Sequence, residues 1–321
     1  MGLSQNISEY PGGFANGVSI QGMPILNSYG GKVFWVDSNG SGSGTTVGPR
    51  KGTFNQPFKT LDSAIGHCKA NRGDIIMIKP GHTEVISSAT ALNFDVAGIS
   101  IVGLGEGTLK PTFTLDTATT TTIPVSAANI SISNVKFSAN FADIVACFTL
   151  TTAKYFKIFN CEFVATAADM NFTRIIDTNT TDNAADGLTA SGCRWVDVDL
   201  ATETFVDVDA DLDGLVFTNN YINIGVNTSD LPAIAVVATG KDLTNLLVRE
   251  CEISRLNDAN PLLITVDTTT ANTGIIRDCR VRHLDTAGEL LVTAGTNIGF
   301  FDNKATAAVD ASGYLLPAAD S

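Results

Sequence analysis

Few stretches of this 321-residue chain have the residue types and spacing that chemistry requires. The acidic run Asp207-Val-Asp-Ala-Asp-Leu-Asp213-Gly214 contains Asp209-x-Asp211-x-Asp213-Gly214, which matches the opening of a calcium loop of the EF-hand type. Counted from Asp209, the twelfth position should be a bidentate Glu but is Asn220, and no helical pattern flanks the run. An EF-hand is therefore excluded, leaving either a looser calcium site in a loop or a solvated acidic turn. Asp197, Asp199, Asp207 and Asp209 could instead supply the two carboxylates of a glycosidase, if folding holds a pair of them across a groove. On an acidic chain, surface carboxylates are the plainer reading. Arg249, Arg255, Arg277, Arg280 and Arg282 cluster near Glu250, Glu252 and Asp278. They could provide the base of a lyase, but an ion-pair ladder on a solvated face explains them more simply. His67, His82 and His283 lie far apart in sequence, and none has an evident nucleophile beside it, so no Ser-His-Asp arrangement can be nominated.

The elements that would position these groups follow from composition. Lys and Arg number 20 against 33 Asp and Glu, a formal charge of −13 that repels nucleic-acid phosphates and argues against DNA or RNA as partner. Charged residues make up 17%, and Gly reaches 29, a balance that suits β-structure rich in turns better than helices. No stretch approaches 18 consecutive apolar residues, and the first residues carry neither a basic nor an apolar signal region. No membrane association and no secretion signal are expected. Residues 1–30 read as an extended arm. Residues 31–97 hold an opening strand at Val33-Phe-Trp-Val-Asp37, a glycine-rich loop and a capping helix. That helix is expected over 60–71, with Leu61, Ala64, Ile65 and Cys68 on one face, a Thr60 N-cap and Asn71-Arg-Gly73 as the stop.

From residue 98 to 305 the sequence repeats. Ile130-Ser-Ile-Ser-Asn134-Val-Lys-Phe137 aligns with Phe156-Lys-Ile-Phe-Asn160-Cys-Glu-Phe163, Leu188-Thr-Ala-Ser-Gly192-Cys-Arg-Trp195 and Leu215-Val-Phe-Thr-Asn219-Asn-Tyr-Ile222. Leu246 to Ile253, Gly274 to Val281 and Ile298 to Ala305 continue the series, with a degenerate copy at Ile99 to Leu104. The fifth-position residues fall at 103, 134, 160, 192, 219, 250, 278 and 302, a period of 24 to 32 residues. Within each copy the apolar alternation of a strand slips by one at that fifth residue, where Asn, Gly or Asp tolerates the left-handed conformation of a sharp bend. A second apolar run precedes each copy, for example Ile175-Ile176 and Phe205-Val206. Three short strands per period predict a parallel β-solenoid of about eight coils, roughly 40 Å long at ~4.8 Å per coil. Cys161, Cys193, Cys251 and Cys279 all occupy the sixth position, beside Val135, Asn220 and Asn303. Stacked in a line, they read as packed small hydrophobes rather than ligands converging on one metal ion, and disulfides between coils are conceivable but not implied. Residues 306–321 form a C-terminal tail that could cover the last coil or bind a neighbour.

These repeats resemble the right-handed parallel β-helix, or pectin-lyase-like, proteins. Asn134, Asn160 and Asn219 are similar to that family's asparagine turn ladder, and the helix at 60–71 is similar to its N-terminal cap. The opening Val33-Phe-Trp-Val-Asp37, Pro57 to Ala64 and Gly73 to Glu84 is similar to the start of many such proteins encoded by tailed bacteriophages. The resemblance implies an all-β, single-stranded β-helix. It also implies a virion structural protein of capsid decoration type, made in the host cytoplasm, associating as a homotrimer and bound through its arm to the major capsid protein or other virion proteins. No cofactor, metal or catalytic residue is expected under that reading. The alternatives are a tailspike or polysaccharide-degrading enzyme, glycosidase or lyase, and a glycan-binding module without catalysis.

Overall fold

The computed structural model describes residues 18–20, 23–25, 30–39, 52–167, 169–197, 204–226, 232–256, 264–266, 271–283, 297–307 and 314–315. The remainder of the arm and tail, most of the glycine-rich loop, and Asp199 lie outside the described residues, as do the side chains of Asp197, Arg255, Arg282 and His283.

The chain is a parallel β-helix. Among the described residues, two ten-stranded sheets and one six-stranded sheet form its walls, and the chain visits them in a fixed order. Phe148–Leu150 of the six-stranded third sheet leads to Lys157–Phe159 of the first and Glu162–Ala165 of the second, and then to Arg174–Thr178 of the third again. All eight repeat copies stand side by side in the first sheet, in parallel register, as the period predicts. Two further strands, Val33–Val36 and Ile75–Ile78, extend the same sheet at its N-terminal end. They are invisible to repeat matching because Val36 and Ile78, the register partners of Gly103, stand where the bend residue should be, and neither adopts a positive φ.

The walls face inward on columns of apolar side chains. In the first sheet Phe34, Ile76, Ile101, Ile132, Ile158, Ala190, Phe217, Val248, Ile276 and Phe300 stack in register, all buried. The second sheet stacks Phe113 on Phe137 and Phe137 on Phe163, ring centroids 5.9 and 5.5 Å apart with interplanar angles of 27° and 15°, and continues to Trp195. Removing one such ring opens a void that neighbouring coils cannot close, at a cost of about 3–5 kcal/mol.

The bends carry the polar half of the design. Asn134, Asn160, Gly192, Asn219, Glu250, Asp278 and Asp302 all have φ between 51° and 67°. Each of these residues except Asp302 donates its N–H to the fourth-position carbonyl of the next coil, for example Asn160 to Ser191 at 2.9 Å. The degenerate copy differs: Gly103 is not left-handed, and glycine is needed there because a Cβ would stand 2.1 Å from the Asn134 carbonyl oxygen. Asn134 also donates through its amide to the carbonyls of Gly103 and Gly105, both at 2.9 Å.

The sixth position explains why Cys and Asn share a column. The backbone N–H groups of Val135, Cys161, Asn220 and Cys251 turn to the sulfurs of Cys161, Cys193, Cys251 and Cys279 in the next coil. Those of Cys193 and Cys279 turn to the amide oxygens of Asn220 at 2.8 Å and Asn303 at 3.0 Å. The same side chains, except Cys279, whose thiol faces the Arg277 carbonyl at 3.3 Å, reach back to the third-position carbonyl of the preceding coil. Asn220 reaches Ala190 at 3.0 Å, Asn303 reaches Ile276 at 2.8 Å, and Cys251 reaches Phe217 at 3.5 Å. Val135 can be apolar because the N–H before it, that of Leu104, is already bonded to the Ile78 carbonyl at 2.9 Å. All four sulfurs are buried and free. The column is therefore a hydrogen-bonding ladder as well as packing.

At the N-terminal end, the helix Leu61–Ile65 buries Leu61, Ala64 and Ile65 over the first coil. It is shorter than the 60–71 expected from periodicity, because Gly66 caps it by donating to the Asp62 carbonyl, while residues up to 71 continue as turns. Thr60 caps the start, and Glu84 accepts the Leu61 N–H at 2.9 Å. Buried His82 accepts the Ser38 N–H on Nδ1 at 2.9 Å and so presents Nε2–H to Glu84 at 3.2 Å. Asp74, fully buried, accepts from Lys32 N at 2.7 Å, Lys69 N at 2.7 Å and both Nε and Nη2 of Arg72. Burial alone would raise its pKa, but the Arg72 hydrogen bonds and the two N–H groups outweigh that and hold it below the usual carboxylate range. The tail returns at the other end, where Tyr314–Leu315 pairs antiparallel with Lys304–Ala307.

Two outcomes follow. Asp74→Asn should cost about 3 kcal/mol in urea unfolding at pH 7. Because the folded-state pKa is depressed, that contribution is present above the unfolded carboxylate pKa and fades as pH falls through the folded value, so parent and variant should converge in acid. In the sixth column, Cys193→Val should cost about 1 kcal/mol by orphaning the Cys161 N–H, and Cys193→Ser, which keeps an acceptor and a donor, should cost less. Equal losses for the two would show that the column is packing alone.

Candidate functional site

Most carboxylates that the sequence offers for chemistry are spent on the scaffold. Asp182, Asp211 and Asp242 form a ladder at the corner between the third and first sheets. The Asp182 carboxylate accepts the Asp211 N–H at 3.0 Å, Asp211 accepts the Asp242 N–H at 3.0 Å, and Asp242 accepts the Ala271 N–H at 2.8 Å. Asp213 accepts from the Thr244 hydroxyl and the Asn245 amide, both at 2.7 Å, which lowers its pKa. Asp211 and Asp213 of the acidic run are thus turned to neighbouring coils rather than to a shared centre. Among the described residues, no group of three or more His, Cys, Asp and Glu is arranged to hold a metal ion.

The exception lies on the outer face of the third sheet. Arg174–Thr178 and Thr204–Val208 alternate so that Asp177 and Asp207 point outward, and the two are register partners on adjacent coils. Parallel neighbours are separated by ~4.8 Å, so the two carboxyl groups share one patch of surface. Thr149 precedes them in the column and Val236 follows. Arg174 Nη1 lies 2.5 Å from Asp207 Oδ2 and 3.5 Å from Asp177 Oδ2. Asp209 follows two residues on, its N–H held by the Thr178 hydroxyl at 2.9 Å.

Burial pushes the Asp177 carboxyl up to about 6; Arg174 opposes the shift, and Asp207 and Asp209 add to it. Asp207 is raised by burial too, with Arg174 opposing. The patch therefore holds one carboxylate committed to an arginine and one that binds a proton near neutrality. Such a pair can act as general acid and base.

Of the four carboxylates nominated from sequence, the structure brings Asp207 and Asp209 together. Asp197 lies on a different wall, at the end of Arg194–Asp197 in the second sheet. Asp177 and Arg174 are not among the residues that the sequence nominates, although aligning Ile175-Ile176-Asp177-Thr178 with Phe205-Val206-Asp207-Val208 puts both aspartates in one column. The C-terminal arginines form local pairs: Arg249 Nε is 3.7 Å from Glu250 Oε1, and Arg277 Nε is 3.6 Å from Asp278 Oδ2. Arg280 stands in the outward column of the second sheet, between Glu252 and Lys304. His67 bonds the Ser63 carbonyl within the cap, at 2.8 Å.

No protein-family model matches the sequence, and no curated protein does. Among solved structures, the chain is similar to a rhamnogalacturonan lyase, with 14% identity and a TM-score of 0.42 over 89% of this chain and 90% of the other. It is similar to the pectate lyase Pel9A, at 14% identity and a TM-score of 0.42, over 86% of this chain and 77% of the other. A third likeness is to ORF18 of Geobacillus virus E2, at 11% identity and a TM-score of 0.37, covering 85% of this chain and 60% of that one.

The raised Asp177 pKa has a thermodynamic sign. A carboxyl that is easier to protonate when folded stabilises the fold in acid, and that advantage is lost as pH rises from the unfolded value, ~4, to about 6. Asp177→Asn should therefore raise stability by about 1 kcal/mol at pH 7.5 and leave it unchanged at pH 4. A variant destabilised at both values would show Asp177 to be a paired structural charge.

Proposed function

We propose that this protein is a structural component of a virion, a capsid decoration protein of a tailed bacteriophage attached through its N-terminal arm. The observation that carries the reading is how the chain spends its polar side chains. The bend asparagines, the cysteine column, the aspartate ladder and the Asp74 and His82 knots all join coil to coil or cap to coil. A chain so invested in internal ladders is suited to being a stiff rod. The arm supports attachment: Val18–Ile20 and Met23–Ile25 pair antiparallel with each other as a separate two-stranded sheet, not as members of the solenoid walls. An apolar hairpin of this kind gains from docking on a partner's surface, here the major capsid protein or another virion protein. Association as a homotrimer belongs to the same proposal.

A second reading has one specific observation in its favour. The Asp177–Asp207 pair, with the Asp177 carboxyl pushed up to about 6 and Arg174 between the carboxylates, is the arrangement from which a polysaccharide-cleaving enzyme would be built.

Removing residues 1–30 should leave the melting temperature of the solenoid unchanged and abolish co-sedimentation with capsids. Retained co-sedimentation would refute arm-mediated attachment, and a monomer in light scattering, both free and on particles, would refute the trimer. Release of reducing or unsaturated sugar ends from host polysaccharide, lost in Asp177→Asn, would replace the structural reading with the enzymatic one.

A further inference from the structure

The solenoid has a second left-handed column, at the corner where the third sheet passes to the first. Gly98, Asn129, Tyr155, Gly187, Gly214 and Asn245 have φ of 73°, 58°, 59°, 73°, 78° and 51°. Their N–H groups bond forward to the next coil, as Asn129 does to the Lys154 carbonyl at 2.8 Å and Tyr155 to the Asp186 carbonyl at 2.7 Å. Five of the six are Gly or Asn, the types at ease in this conformation. Tyr155 is not, and a bulky residue held there at an energetic cost is a pointer to function rather than to folding.

The next coil is cut to fit that ring. At Gly187 a Cβ would stand 2.4 Å from Tyr155 Cδ1 and 2.8 Å from Cε1, so only glycine lets the ring lie down along the corner. Laid this way, Tyr155 is still 52% exposed. It borders a shallow concavity of about 180 Å³ lined by Asn129, Ile130, Ser131, Tyr155 and Lys157. Ile130 is buried, so the surface offered is one aromatic ring with an amide, a hydroxyl and an ammonium group. No other exposed large apolar side chain lines the concavity, which lacks the apolar centre that a protein partner's anchor residues would need.

We infer that this corner is a glycan-binding subsite, in which the apolar face of a pyranose ring stacks on Tyr155 while Asn129 and Lys157 hydrogen-bond its hydroxyl or carboxylate groups and Ser131 Oγ, which donates to Ser100 Oγ at 3.1 Å, accepts from a sugar hydroxyl. The chemistry is that of sugar recognition: a flat π-face takes the C–H side of the ring, and flanking donors and acceptors fix its orientation. The site lies on a different wall from the Asp177–Asp207 pair and depends on neither reading of the protein's function.

The test pairs binding with stability, using the full-length protein. The probe is a printed array of bacterial capsular and O-antigen oligosaccharides, neutral and uronic-acid-containing. The parent should be retained on one of these classes, and Tyr155→Asn, which installs the residue found at Asn129 and Asn245, should bind at least ~tenfold more weakly. Lys157→Met should weaken retention on the acidic glycans and spare the neutral ones if the ammonium meets a carboxylate, and weaken both if it meets hydroxyls. The melting temperature of Tyr155→Asn should equal or exceed the parent's, because the left-handed strain is relieved. A parent that binds no arrayed glycan, a Tyr155→Asn variant that binds as the parent does, or a clear drop in its melting temperature would each overturn the proposal.

Discussion

Everything in this molecule depends on satisfying the backbone where each coil turns. Strands in a solenoid solve their own hydrogen bonding by lying beside their neighbours, but a corner breaks the alternation and leaves donors facing inward. The chain answers with left-handed residues that keep the coil-to-coil ladder running around the bend, as Asn160 does to Ser191 and Tyr155 to Asp186. Where even that fails, at the sixth position, a side chain from the next coil supplies the acceptor. The apolar columns inside contribute most of the stabilisation, yet they can stack in register only because every corner repeats the same solution.

This explains what was legible in the sequence and what was not. The strands and their register could be read because apolar alternation has a period of two and the bend residues are mostly Asn, Gly and Asp. Glu250 is just as left-handed as Asn219, but nothing in its type announces it. The second left-handed column carries no such signal, because it lies ahead of the apolar alternation, where Gly98, Gly187 and Gly214 look like ordinary loop glycines. The cysteines lie in one interior line, but their resemblance to Asn220 and Asn303 is one of hydrogen-bonding capacity rather than size, and a hydrophobicity pattern carries no such information. Burial also pushes the Cys193 thiol up to about 12, which keeps it protonated and able to donate.

The candidate site was half legible for a related reason. Asp207 and Asp209 draw the eye because they lie in a conspicuous acidic run, whereas Asp177 is a single aspartate in an apolar strand. Three-dimensional stacking makes the isolated residue the more interesting one: it sits beside Asp207 across a coil, sheltered enough that its carboxyl is pushed up to about 6. In the run itself, Asp211 and Asp213 serve the scaffold. Density of charge along the chain was a poor guide to where charges meet.

The strand Tyr314–Leu315 runs against the direction of every strand before it in its wall. A stack of parallel coils is a natural template for its own continuation, since the last strand offers the next molecule the same pattern that it received from the one beneath. A two-residue strand of opposite polarity spoils that template on one wall. A parallel strand from another copy therefore meets no matching ladder on that wall.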